Sequence, residues 1–131
     1  MGAAMEDRIR FLTHRGQQVL LADLSNCTAE EVSRIARQVV AFAAHQPRGS
    51  VLLLADFTGA KFDKAAIETL KQTTVFARPL LKRSAWVGTD SLPHVFYENL
   101  KSFSQRDLPT FRTREEALEW LVEEMPAASG Q

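Results

Sequence analysis

The sequence predicts an α/β fold of order β-β-α-β-α-β-α-β-α, a mostly parallel sheet with an antiparallel first strand and a single layer of crossover helices. Three observations predict it. Apolar runs of strand length, Val51 to Ala55 above all, show no amphipathic alternation, as strands covered on both faces do. Stretches with apolar residues at helical spacing stand between these runs, and strand–helix alternation builds parallel sheets. The first two runs are joined through Arg15-Gly16 alone. A parallel return needs a dozen residues or more, so these two strands form a hairpin.

The elements follow in order. Ile9 to His14 is the first strand and Gln18 to Leu24 the second. Thr28-Ala-Glu-Glu31 has the form of a capping box, with Val32, Ile35, Ala36, Val39, Val40 and Ala43 on one helical stripe behind it. Pro47 and Gly49 end that helix. Val51 to Asp56 is the third strand, and a helix from about Asp63 to Ala77 follows, with Ala66, Ile67 and Leu70 inward. Lys82 to Gly88 is the fourth strand. Ser91-Leu-Pro93 opens a third helix whose face carries Val95, Phe96, Asn99, Leu100 and Phe103. Pro109 to Arg112 is a brief fifth strand. Thr113-Arg-Glu-Glu116 is a second capping box, before a closing helix with Ala117, Leu118, Trp120, Leu121 and Met125.

A chain of 131 residues suits one domain, expected over 8–125, with a flexible leader at 1–7 and a disordered tail at 126–131. Hydrophobic residues make up 45%, enough for a core. Lys plus Arg and Asp plus Glu both number 16, so no basic excess points to nucleic acid. No apolar run approaches the ~20 residues that span a bilayer. Cys27 is the only cysteine, so an intramolecular disulfide is excluded and the expected location is cytoplasmic.

Catalytic signals are sparse. His14, His45 and His94 lie far apart in sequence, and no metal site is expected. Cys27 precedes a helix N-terminus, where a thiolate is favoured, but no partner base stands near it in sequence. Nucleophile-elbow, dinucleotide and Walker-type motifs are absent. Asp23 and Asp56 close the second and third strands at the carboxyl rim, where α/β sheets place ligands. Equally, they could satisfy loop amides. A phospho-accepting receiver domain also carries an aspartate at a strand end, but it opens on a parallel βαβ unit, which the hairpin contradicts. Arg78, Lys82 and Arg83 are the densest basic cluster: either a solvated strand edge or an anion or acidic-partner patch.

The segments VLLADLSNCTAEE, PRGSVLLLADFTGAKFD, RPLLKRSAWVG and FRTREEALEWL, in this order and spacing, resemble the STAS domain. The likeness is closest to small stand-alone bacterial proteins of the SpoIIAA-like fold, and it covers nearly the whole chain. It implies a non-enzymatic interaction module. In the switch members of that family, an Asp-Ser at the second helix carries the phospho-acceptor. The matching place here reads Phe62-Asp63-Lys64, so the aspartate is kept and a lysine replaces the serine. Thr58 and Ser84 are substitute acceptors outside the family position.

Two functional readings follow. The first is a cytoplasmic protein-interaction or regulatory module that binds through Asp56, Thr58, Gly59, Lys61, Asp63 and Lys64, without cofactor and with a homodimer as one mode of assembly. The second is a small-molecule or lipid-binding protein, since the related CRAL-TRIO architecture holds apolar ligands and this chain has eight Phe. An enzyme ranks third, because no nucleophile–base or acid–base pair can be assembled from the sequence.

Overall fold

The structure, a computed structural model, describes residues 8–91 and 109–123. Five strands form one mixed sheet in the order β1 (Ile9–His14), β2 (Gln17–Asp23), β3 (Val51–Asp56), β4 (Leu81–Val87) and β5 (Thr110–Phe111). Helix α1 (Ala29–Ala44) joins β2 to β3 and α2 (Lys64–Ala77) joins β3 to β4. Helix α3 (Arg114–Val122) follows β5. The helix expected from Ser91 to Phe103, the leader and the tail lie outside the described residues, apart from a 3-10 turn over Thr89–Ser91.

The hairpin forms as its short connection requires. Strand β1 pairs antiparallel with β2 from Ile9↔Ala22 to His14↔Gln17. Arg15 and Gly16 both take positive φ, 52° and 79°, the backbone of a two-residue turn whose twist matches the strands. The other pairings are parallel.

Every residue of β3 is buried because both faces of the sheet are covered. Leu53 and Ala55 point to one face with Leu20, Ala22 and Trp86, under Val32, Ile35 and Val39 of α1 and Ala66 and Leu70 of α2. Leu52 and Leu54 point to the other with Val19, Leu21, Ala85 and Val87, under Ala117, Leu121 and Val122 of α3. The crossover helices α1 and α2 thus share one layer. Helix α3 closes the opposite face, so the described helices form two layers around the sheet, not one.

The helix starts carry local signals. Thr28 and Glu31 complete a capping box, with Glu31 N to Thr28 Oγ1 at 3.2 Å and Thr28 N to Glu31 Oε1 at 2.9 Å. At α3 only half of the expected box forms. Thr113 Oγ1 accepts from the Glu116 amide at 3.1 Å, but Glu116 reaches one residue further back, to the Arg112 amide at 3.2 Å. Strand β4 starts at Leu81, and its register against β3 shifts between Val51 and Leu52, with Val51 opposite Leu81 and Leu52 opposite Arg83. This bulge leaves Lys82 as the extra residue. It lets Leu81 join the core under α1 and α2 while Arg83 turns toward α3.

Candidate functional site

The carboxyl rim of β2 and β3 is built from one local motif used twice. Asp23 and Asp56 are Cα partners in the parallel register. Asp23 Oδ1 accepts from the Ser25 amide at 3.0 Å and the Ser25 hydroxyl at 2.5 Å. Asp56 Oδ1 accepts from the Thr58 amide at 3.0 Å and its hydroxyl at 2.6 Å. In both loops the next residue has positive φ, Asn26 at 58° and Gly59 at 70°. The amide after that turns back, Cys27 to the Leu24 carbonyl and Ala60 to the Phe57 carbonyl. Asp-apolar-Ser/Thr followed by a left-handed residue is therefore a compact exit from a strand.

The two loops are also stitched together. Leu24 N donates to Asp56 O and Asn26 N to Thr58 O, each at 2.8 Å, and Lys61 N donates to Cys27 O at 2.9 Å. On the far side Phe57 N donates to Val87 O at 2.8 Å. A Cβ on Gly88 would lie 2.6 Å from the Thr58 amide nitrogen, so β4 approaches this loop as closely as backbone allows.

Two aspartates side by side need a counterion, and α3 supplies it. Arg114 Nε lies 2.6 Å from Asp56 Oδ2 and Nη2 lies 3.0 Å from Asp23 Oδ1. A cation in the first turn of a helix opposes the helix dipole, and the carboxylate pair offsets that cost. Arg8 adds a second guanidinium, donating to the carbonyls of Asp23 at 3.1 Å and Ser25 at 2.8 Å. Burial pushes the Asp23 carboxyl up, but the Ser25 hydroxyl and amide, then Arg114 and Arg8, outweigh it and hold it below the usual aspartate value. Burial likewise works against the Arg114 charge, yet its hydrogen bond and attraction to Asp56, then Asp23, leave it raised.

The predicted interaction residues divide accordingly. Asp56 is buried and committed to Thr58 and Arg114. Thr58 and Gly59 are exposed, as are Lys61, Asp63 and Lys64. Asp63 caps α2, its Oδ1 accepting from the Ala66 amide at 2.7 Å. Thr58, Gly59, Lys61, Asp63 and Lys64 thus present one surface along the rim, with Ala60 buried and Phe62 packed against the core between them. Arg78 and Lys82 are exposed at the opposite, amino end of β4, so the two proposed surfaces do not meet.

Arg83 leaves the basic cluster altogether. It is buried, its guanidinium lies 4.6 Å from the Trp120 ring centroid, and Nη1 donates to the Trp120 carbonyl. The patch expected from Arg78, Lys82 and Arg83 is reduced to its first two members, because the bulge turns Arg83 to the α3 face.

The remaining chemistry-bearing groups do not join this rim. Cys27 is buried, which pushes its thiol up and counters the thiolate that a helix N-terminus favours. His14 Nε2 lies 2.8 Å from Glu119 Oε2, and Arg15 Nη2 lies 2.7 Å from Glu119 Oε1. His45 Nδ1 lies 2.7 Å from the Ala41 carbonyl, and His94 is outside the described residues. Among the described residues no three His, Cys, Asp or Glu side chains gather as a metal site, and no helix is long and apolar enough to cross a membrane. The Arg114 clamp is the feature the sequence reading missed. Its signal was two aspartates expected on one rim, which demanded a cation from elsewhere.

No protein-family model matches the chain, and no curated protein matches its sequence.

Proposed function

We propose that the chain is a non-enzymatic interaction module that offers the rim from Thr58 to Lys64 to an acidic surface of a protein partner. One observation carries this reading. The backbone of the loop is pinned from three sides, yet its cations Lys61 and Lys64 are exposed and have no ion-pair partner among the described residues. A loop already held in one conformation loses little entropy on docking, and unpaired lysines steer an acidic partner toward it. Asp63 keeps the helix start in place as the cap of α2. This reading follows the sequence resemblance to anti-sigma factor antagonists. With Lys64 where the phospho-acceptor serine would stand, binding is constitutive and not released by phosphorylation there.

The test is affinity capture from the native cells with the wild-type chain and with Lys61→Glu/Lys64→Glu. Both positions are exposed, so the variant should fold with unchanged stability. A specific partner retained by wild type and lost by the variant supports the rim surface. Retention of the same partner by the variant overturns it.

A further inference from the structure

A second feature, independent of the rim, lies between α1, α2 and the sheet: a cavity of about 60 Å³ whose walls include Ala36, Val39, Leu53, Ala55 and Trp86. One polar group stands out in this lining. Ser84 is 4% exposed and pairs across the sheet with Leu53, on the face that carries Trp86. Its hydroxyl forms no hydrogen bond with the described residues, whereas every sealed polar side-chain atom among those residues has a partner. The Ser84 oxygen is therefore open to the cavity, not enclosed by protein. The other hydroxyls in the lining are committed: Thr73 Oγ1 donates to the Thr69 and Leu70 carbonyls at 2.9 and 3.2 Å, and Thr74 Oγ1 donates to Leu70 at 2.7 Å.

We propose that this cavity is a binding site for a small neutral molecule with an apolar body and one hydrogen-bonding group, of the size of phenol. The volume sets the size. A single water takes roughly 10–15 Å³ by the same measure, so the cavity holds about four, or roughly 120 Å³ of liquid, near the ~150 Å³ apolar cavity that admits benzene. A phospholipid or long-chain acid is too large. The lining sets the polarity. Apolar walls penalise a buried charge heavily, while one open hydroxyl rewards one donor or acceptor placed against it. Exposed Arg78 and half-buried Val40, Thr73 and Thr74 mark the solvent side of the cavity.

Phenol and benzene are the probes, because they differ only in the hydroxyl. Methyl ¹H–¹³C spectra of the full chain titrated with phenol should show saturable shifts at Ala36, Leu53 and Ala55. Phenol should bind about fivefold more tightly than benzene, the worth of one neutral hydrogen bond. Ser84→Ala should bring phenol to the level of benzene and leave benzene binding unchanged. Ala36→Leu, which fills the cavity from α1, should abolish both. Absence of saturable shifts at these methyls in the wild-type chain overturns the site. An unchanged phenol preference in Ser84→Ala, or undiminished binding in Ala36→Leu, overturns the assignment of its residues. Recovery of a stoichiometric long-chain acyl ligand from the purified protein overturns the size limit.

Discussion

Asp23 and Asp56 stand as register partners at the ends of two parallel strands and share one guanidinium, that of Arg114. The arrangement ties the last helix to the carboxyl rim of the sheet across 58 positions of sequence between Asp56 and Arg114. Removing the cation would leave two adjacent carboxylates, one of them buried. Arg114→Met should therefore destabilise the fold by about 2–3 kcal/mol, less than a fully buried pair because Arg114 is itself over a third exposed. Adding Asp56→Asn to Arg114→Met should recover part of the loss, since the amide oxygen can still accept from Thr58. Urea unfolding of the two single variants and the double variant measures the coupling.

Acid should reach this rim through Asp23. Its folded value is depressed below the ordinary 3.8, so the stabilisation is present above that value and is lost as pH falls through the folded one. Ser25→Ala removes the two oxygen-directed contacts that most depress it in part, since the hydroxyl goes and the amide stays. The Asp23 carboxyl should then titrate at higher pH, and the variant, already less stable at neutral pH, should lose less further stability as pH falls below 3.8. Carboxyl ¹³C titration of both proteins tests this; identical Asp23 curves would show that the Ser25 hydroxyl contributes nothing.

What could be read from sequence was local. The bounds of β1 and β3, the hairpin, and the caps Thr28, Asp63 and Thr113 all rest on residues within four positions of one another. Three features were not legible. The face taken by α3 depends on Ala117, Leu121 and Val122 finding Leu52 and Leu54, a choice the short apolar pattern of α3 leaves open. The bulge at Lys82 reverses the side on which Leu81 lies, so a plain alternation along β4 misplaces its start. The role of Arg114 has no local signal because its partners, Asp23 and Asp56, are remote in sequence. The exposed part of the candidate rim, Thr58, Gly59, Lys61, Asp63 and Lys64, was legible because polar residues of a loop between a buried strand and a capped helix lie at the surface.

The two rim glycines should differ in their tolerance of a side chain. Gly59 has φ +70°, and a Cβ there would meet the Asn26 side chain at 2.3 Å, a group that can rotate away. Gly88 has φ +68°, and its Cβ would meet the Thr58 backbone at 2.6 and 2.7 Å. Both substitutions carry the left-handed strain of about 1 kcal/mol. Gly88→Ala must also push the β3–α2 loop off β4, so it should cost about 3 kcal/mol or more against about 1–2 for Gly59→Ala. Thermal unfolding of the pair checks the order, and equal losses would mean that the loop yields as easily as the Asn26 side chain.

Arg83 offers the sharpest separation of charge from shape. Its guanidinium lies over Trp120 and donates to the Trp120 carbonyl near the end of α3, an oxygen that also accepts from the Glu123 amide at 3.2 Å. If positive charge alone mattered, lysine would serve. A lysine ammonium has neither the flat face to stack on the indole nor the fixed fork that reaches the carbonyl at the same time. Arg83→Lys should therefore lose about 1 kcal/mol, and Arg83→Ala about 2 kcal/mol through the lost stacking and the lost charge-assisted hydrogen bond, the Trp120 carbonyl keeping the Glu123 amide as its donor. Trp120 fluorescence should shift in both variants while the Trp86 side of the sheet is unaffected, because Trp86 packs in the other core. A lysine variant as stable as the wild type, with unchanged Trp120 emission, would show that the planar contact contributes nothing and that α3 is held by its apolar face and the Arg114 clamp alone.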